Sequence, residues 1–306
     1  MIKRSKIKNI LLTFSAILIM ASCKSSYIRI GDENANYIPY YLKVYEADSL
    51  FIVGDYERSY EILDSLFKKY EPINIDGYEE YLIYIASSIE LNNIKKNRLR
   101  KRLKYLYANH GNHDVFIEYF TTDKVKGFIE TTDTLGINIG KQLMKYNKSV
   151  DSELRHLVEN MVKEDLEARE GEIKVENLER VNLRNTQLLD SLIQIDKFPN
   201  YKLIGNMKYS GNDANIKALM THTDQKYKED VLLEKLFDYM LKGEVDPSTY
   251  ARVYDRYYFI NNGKVYFGDQ GKVTDTVMIN IRRQEIGLHS LSYNRWRVMK
   301  KYNMEY

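Results

Sequence analysis

At 306 residues, 44% of them hydrophobic, the chain can bury a real core, and its length fits two domains. Tyrosine is abundant (27) and proline scarce (4), a balance that suits long helices joined by short turns. The formal charge of +3 rests on Lys3, Arg4, Lys6 and Lys8: the 46 basic residues, less these four, stand against 43 acidic ones, which excludes the charge footprint of a nucleic-acid-binding protein.

The chain opens with a basic start (MIKRSKIK), an apolar run (ILLTFSAILIM) and then Met20-Ala21-Ser22-Cys23. The run is short and wrongly flanked for an ordinary spanning helix. The arrangement resembles a bacterial lipoprotein signal, which implies cleavage after residue 22 and lipidation of Cys23. Cys23 is the single cysteine, so once it is acylated a disulfide, a cysteine nucleophile and a thiolate metal site are excluded. Several acyl chains on one residue hold a protein to a membrane stably, where one chain does not. Residues 23–36 read as a polar tether. Lys24 follows the cysteine without an acidic neighbour, and we expect a periplasm-facing lipoprotein of the outer membrane.

Residues 37–130 are helical by pattern. Ala47, Leu50 and Phe51 precede a Gly54-Asp55-Tyr56 turn; Ser59, Leu63, Leu66 and Phe67 follow at helical spacing, and Pro72 closes the unit. This order resembles a tetratricopeptide-like helical hairpin. A second pair, GYEEYLIYIASSIELNN and KNRLRKRLKYLYANHG, comes next. Two pairs fall below the three repeats that usually stand alone, so the segment should pack on the rest of the chain. Its surface is a candidate for a protein partner. Lys95 to Lys104 holds seven basic residues in ten. It reads either as a patch for anionic headgroups or an acidic partner, or as a solvated face with Leu99 and Leu103 inward; we take the second. His110 and His113 are expected at the surface.

Residues 121–150 read as a boundary before a helical domain over 151–306. Its first helix starts at Asp151 or Ser152, with Leu154, Leu157, Val158 and Met161 as its apolar stripe. One turn further the same face carries Asp165, and another turn on Arg169, where charges are unusual. The next helix uses Leu178, Leu188, Leu189, Leu192 and Ile193. His222 falls three residues after Leu219, close to an apolar face. In the stretch 243–271, Asp246 caps a helix and Pro247 fits its first turn. Two aromatic runs, YYFI and KVYF, then flank Asn262-Gly263 and predict a small β-hairpin over 256–270 with a type I′ turn. Its register pairs Arg256 with Asp269 and brings Asp255 and Gln270 to the opposite face. Val277, Met278 and Ile281 start a last helix that ends at Gly287, and a basic tail with Trp296 closes the chain. The fold expected is therefore mainly α, a helical-hairpin part followed by a helical domain with one hairpin.

The second half carries Asp165 and Arg169, Asn185-Thr186, Pro199, Gly205, His222 with Asp224, Gly243-Glu244, Pro247, Ala251, Asp255-Arg256, Gly268, Gln270, Arg283 and Gly287-Leu288. In order and spacing, residues 153–293 resemble a bacterial domain family of unknown function that is often found in lipoproteins. That family's pattern runs DQ-x-x-R, Asn-Thr, GWP, Gly, QHAD, GE-x-x-P with A-x-x-x-DR, YGTQ and R-x-x-x-GL. Leu166, Phe198, Thr221, Phe267 and Asp269 depart from it and remove several neutral hydrogen-bonding partners.

The resemblance implies no reaction. One reading is a binding or scaffold lipoprotein of the cell envelope. The other is a hydrolase-type enzyme with a pocket of Asp165, Arg169, His222, Asp255, Arg256 and Gln270, in which His222 is the general base and the arginines hold an anion. No phosphate loop, nucleophile elbow or zinc signature is present in the sequence, and no cofactor or metal is assigned.

Overall fold

The computed structural model describes residues 27–75, 77–92, 95–111, 130, 134–171, 174–206 and 213–301. Cys23, His113 and the whole leader lie outside them. The described residues are mainly α-helical, as the periodicity predicts, and none of their helices is long and apolar enough to cross a membrane.

Helix α1 (Ile38–Ile52) turns at Gly54-Asp55 into α2 (Tyr56–Lys69), whose first turn is capped by the Asp55 carboxylate. Ser59 is fully buried and donates to the Ala47 carbonyl at 2.9 Å, so a small side chain brings the two helices together. Helices α3 (Glu80–Glu90), α4 (Lys96–His110) and α5 (Ile139–Ser149) continue the array, each packed on the one before. Leu99 and Leu103 of α4 face inward as expected. Arg102 joins them, its guanidinium 3.8 Å from the Tyr84 ring centroid. His110 is only half-buried, and its ring packs on Tyr81 and Tyr105.

The centre of this part is aromatic. Tyr37, Tyr40 and Tyr41 are wholly buried and pack on one another, and Tyr37 and Tyr40 also meet Tyr70, tilted and edge-on. The Tyr40 hydroxyl donates to Glu80, which is itself fully buried and accepts the amides of Asn74 and Ile75 at 2.6 and 2.7 Å. Tyr41 crosses to the second half of the chain, where it donates to the carbonyls of Met240 and Val245 at 2.9 and 3.0 Å.

That second half begins with α6 (Ser152–Glu167), capped by Asp151, and α7 (Val175–Gln194). Two short helices follow, α8 (Tyr201–Ile204) and α9 (Ile216–His222). Next come α10 (Gln225–Tyr227), a π turn over Lys228–Leu232, and α11 (Leu233–Leu241). Helices α12 (Pro247–Asn262), α13 (Thr276–Glu285) and α14 (Leu291–Lys301) complete the described chain. Helix α14 returns to α1, where Arg297 and Tyr293 both bind the buried Asp48, at 2.7 and 2.6 Å. Gly287 allows α13 to end against α1, since a β-carbon there would lie 3.1 Å from the Ile38 carbonyl oxygen.

The expected hairpin over 256–270 is not formed. Asp246 and Pro247 do start a helix, but that helix runs on through YYFI to Asn262. Tyr250, Tyr254 and Tyr258 stack along one face at i,i+4 spacing, with centroids 5.6 and 4.6 Å apart, a helical pattern hidden in a β-prone composition. Among residues 256–270 there is no strand, and the described residues hold just an isolated parallel bridge, Ile28 to Tyr70. Gly263 does adopt positive φ (+68°), as a left-handed helix cap with its amide on the Phe259 carbonyl at 2.9 Å. Gly263→Val is therefore expected to cost about 1–2 kcal/mol in chemical denaturation; an unchanged midpoint would mean that the helix does not end in this cap.

Helix α13 ends just before Gly287, as the sequence predicts, and its buried side is not the apolar one. Val277, Met278 and Ile281 are 69%, 42% and 46% exposed, while Ile279 and Arg283 are buried. Arg283 donates to the carbonyls of Phe267 and His289, both at 2.6 Å, so a guanidinium occupies the core side and displaces the apolar stripe outward.

Candidate functional site

The site forms where the C-terminal end of α6 meets the C-terminal end of α9. Asp165 continues the buried stripe of α6 and is 2% exposed. A buried carboxylate requires partners, and two residues supply three hydrogen bonds to it. Arg169, one turn on, donates Nη2 to Oδ1 at 2.9 Å and Nε to Oδ2 at 3.2 Å. His222 places Nδ1 2.8 Å from Oδ2. Burial alone would raise the Asp165 carboxyl, but the hydrogen bonds and charges of His222 and Arg169 outweigh it and hold the group below the usual carboxylate range.

Helix α7 closes one side. Arg169 also donates to Asn182 Oδ1 at 2.9 Å, and Asn185, 4% exposed, donates to the Met161 carbonyl at 3.3 Å. The Asn185 Oδ1 is buried with no hydrogen-bond partner among the described residues. Thr186 accepts the Asp224 amide at 3.0 Å, which ties the turn after His222 to α7. Asp224 caps α10 through the Tyr227 amide at 3.0 Å.

Lys228, in the π turn, is fully buried and was not anticipated from the sequence. Its ammonium donates to the carbonyl of Thr223, the residue after His222, at 2.6 Å. Burial pushes it down to about 8; the charge of Arg256 adds to this and Asp224 opposes it. The sequence gives no signal for it, since Lys228 sits in a polar run, QKYKED, and a π turn breaks the 3.6-residue register on which face assignments depend.

Of the six residues expected in one pocket, Asp165, Arg169 and His222 are brought together. Asp255 has a different task. It is fully buried and accepts the amides of Tyr266 (2.8 Å), Phe267 (3.0 and 3.2 Å) and Asp269 (2.8 Å), pinning the loop after α12. The expected Arg256–Asp269 pair is replaced by Arg252–Asp269 at 3.4 Å, because the segment is a helix and the loop returns beside it one turn earlier. Arg256 is partly buried near Lys228, and neither it nor Gln270 makes a side-chain hydrogen bond among the described residues.

The positions that depart from the family pattern lie in ordinary structural surroundings. Leu166 is 48% exposed, Phe198 stacks on Tyr239 at 4.3 Å, and Thr221 donates to the Lys217 carbonyl at 2.6 Å.

Chemically, the cluster holds an imidazole and a guanidinium fixed around one carboxylate. His222 and Arg169 are each about one-quarter exposed, and the outer His222 nitrogen makes no hydrogen bond among the described residues. Such an arrangement can accept or donate a proton at His222 Nε2 and can hold an anion beside it. No family model, curated protein or solved structure matches the chain.

Proposed function

We propose that the protein is a lipoprotein of the bacterial cell envelope, attached through acylated Cys23 on the periplasmic face of the outer membrane, and that its second half binds a small anionic ligand at Asp165–Arg169–His222. The carrying observation is the anchored carboxylate. Asp165 orients His222 and Arg169 while leaving the outer imidazole nitrogen and an edge of the guanidinium toward solvent. The buried Lys228 ammonium, on the carbonyl of the residue after His222, adds a positive charge to the turn that follows the cluster. The tetratricopeptide-like reading of α1–α4 supports a scaffold role for the first half, and the resemblance of residues 153–293 to the lipoprotein-associated domain family agrees with the address.

A second reading, hydrolysis with His222 as general base, is favoured by the Nδ1–Asp165 bond, which leaves Nε2 as the working nitrogen. It is weakened by Asp255, whose oxygens are taken by backbone amides and cannot serve as a second acid.

Three measurements test these statements. An acyl-chain probe should label the wild type and not Cys23→Ser; an unlabelled wild type sinks the anchor. Inorganic phosphate should move the His222 imidazole resonance in the wild type, with at least a fivefold weaker response in Arg169→Gln. An unmoved resonance sinks the anion site. Turnover of chromogenic esters or phosphoesters that disappears in His222→Gln would establish the second reading in place of binding.

A further inference from the structure

We propose that the cleft between α4 and α5 binds the phosphate-bearing headgroup of an anionic membrane lipid. The cleft has a volume of about 440 Å³ and is lined by Arg100, Lys104, Tyr105, Lys141, Gln142 and Lys145 among others, with no acidic residue among the described residues of its walls. That size suits a headgroup rather than a bare ion.

The case rests on charges the fold leaves unbalanced. Elsewhere on the surface, lysines take helical partners: Lys43 with Glu46, Lys226 with Asp230, Lys242 with Asp238. Neither α4 nor α5 contains a single Asp or Glu. Arg100 and Lys104 are i,i+4 on one helix, and Lys141 and Lys145 are i,i+4 on the other, spacings at which like charges destabilise a helix. None of the four is paired with a carboxylate among the described residues; Arg100 makes one long contact, 3.4 Å, to the Gly136 carbonyl. Two facing helices thus concentrate on one concave surface four cations that no carboxylate among the described residues compensates. A solvated face needs no such convergence, whereas a phosphate ligand does.

The lining is also chemically suited to a headgroup. Gln142 is 6% exposed, touches the cleft, and has no side-chain hydrogen bond among the described residues, so its amide is available to a polar headgroup. Tyr105 supplies an aromatic wall, packed on Tyr81 at 4.8 Å. Its position matters as well. Tyr27 lies near enough to Tyr105 to help raise its phenol above the ordinary range, after burial, which is the larger cause. Tyr27 follows Cys23 by four residues, a length of chain that reaches at most about 14 Å. The first described residue after the anchor is thus within electrostatic reach of one wall of the cleft. The inference rests on the membrane attachment proposed above, and on nothing at the Asp165–His222 site.

The test uses the full acylated protein in neutral detergent, titrated calorimetrically with short-chain phosphatidylglycerol, with phosphatidylcholine, with inorganic phosphate and with polyglutamate. Phosphatidylglycerol should bind tightest. Each neutralised cation should weaken it about fivefold, from the contribution of a basic side chain near an anionic lipid. Arg100→Gln/Lys104→Gln and, on the facing helix, Lys141→Gln/Lys145→Gln should each lose at least about twentyfold. Arg98→Gln/Lys101→Gln, on the exposed side of α4, should change little, and Arg169→Gln should leave lipid binding intact. The cleft variants should melt no lower than wild type, because each removes a repulsion. Equal binding of polyglutamate would overturn the proposal in favour of an acidic protein partner. Inorganic phosphate binding as tightly as the lipid would overturn it in favour of a free anion, and undiminished lipid binding by both cleft variants would overturn it outright.

Discussion

Asp255→Ala is expected to lower stability by about 3–5 kcal/mol, the range for removing a buried charge from its partners. The carboxylate has no exposed surface and accepts three backbone amides, those of Tyr266, Phe267 and Asp269, within 3.2 Å. Deleting it leaves these donors without an acceptor in a place that water reaches poorly, at about 1–3 kcal/mol for each group that stays unpaired. Asp255→Asn keeps the shape but turns an NH2 toward one of the amides, so about half the loss is expected. Urea denaturation gives the totals, and hydrogen exchange at the three amides locates them. If both variants stay within about 1 kcal/mol of wild type, the loop does not depend on this carboxylate. A selective loss of the chemistry at His222 with full stability would show instead that Asp255 belongs to the site.

Lys228→Met is expected to act with the opposite sign, and in a pH-dependent way. In the fold the lysine falls from its usual value of 10.5 to about 8, so the unfolded chain holds the proton more tightly. The folded state therefore carries a penalty below pH 8, and it is relieved as pH rises from 8 to 10.5. The shift corresponds to at most about 3 kcal/mol. Methionine fills similar space and removes that penalty, but it leaves the Thr223 carbonyl without its 2.6 Å donor, which offsets about 1–3 kcal/mol. At pH 7 the variant should thus lie within about 2 kcal/mol of wild type. Between pH 8 and 10.5 wild type should gain on it steadily. Parallel stability curves over that window would mean that Lys228 is not buried as a cation.

The parts of the structure legible in the sequence were those with a local physical cause. The caps at Asp55, Asp151 and Asp246 and the stripe Leu154–Met161 follow from short-range hydrogen bonding and helical period. The Asp165–Arg169 pair was readable because charges on an apolar face need partners, and His222 fell to it by the same logic. Asn262-Gly263 misled because the positive φ it supplies serves a hairpin turn and a helix end alike; what separated them was the stacking of Tyr250, Tyr254 and Tyr258. The burial of Arg283 on α13 was not readable, since it depends on two carbonyls outside its helix, at Phe267 and His289. The cleft lysines of α5 lie in a stretch read as a boundary, and their meeting with Arg100 and Lys104 is a property of packing alone.

The buried tyrosines give the chain an optical character of its own. Tyr40, Tyr41 and Tyr45 are held well above the ordinary phenol value, chiefly by burial, and Tyr239 and Tyr250 are pushed up to about 12. Each proton is bound more tightly folded than unfolded, so this contribution is whole below about pH 10 and fails as pH climbs through the folded values. Burial disfavours phenolate at Tyr40, Tyr41 and Tyr45 while the helices stay closed. Opening releases them together, and with 27 tyrosines against one tryptophan the near-ultraviolet spectrum is dominated by that event. Alkaline unfolding then registers as a sudden rise of phenolate absorbance, a built-in dye that reports the state of the α1–α3 core without any label.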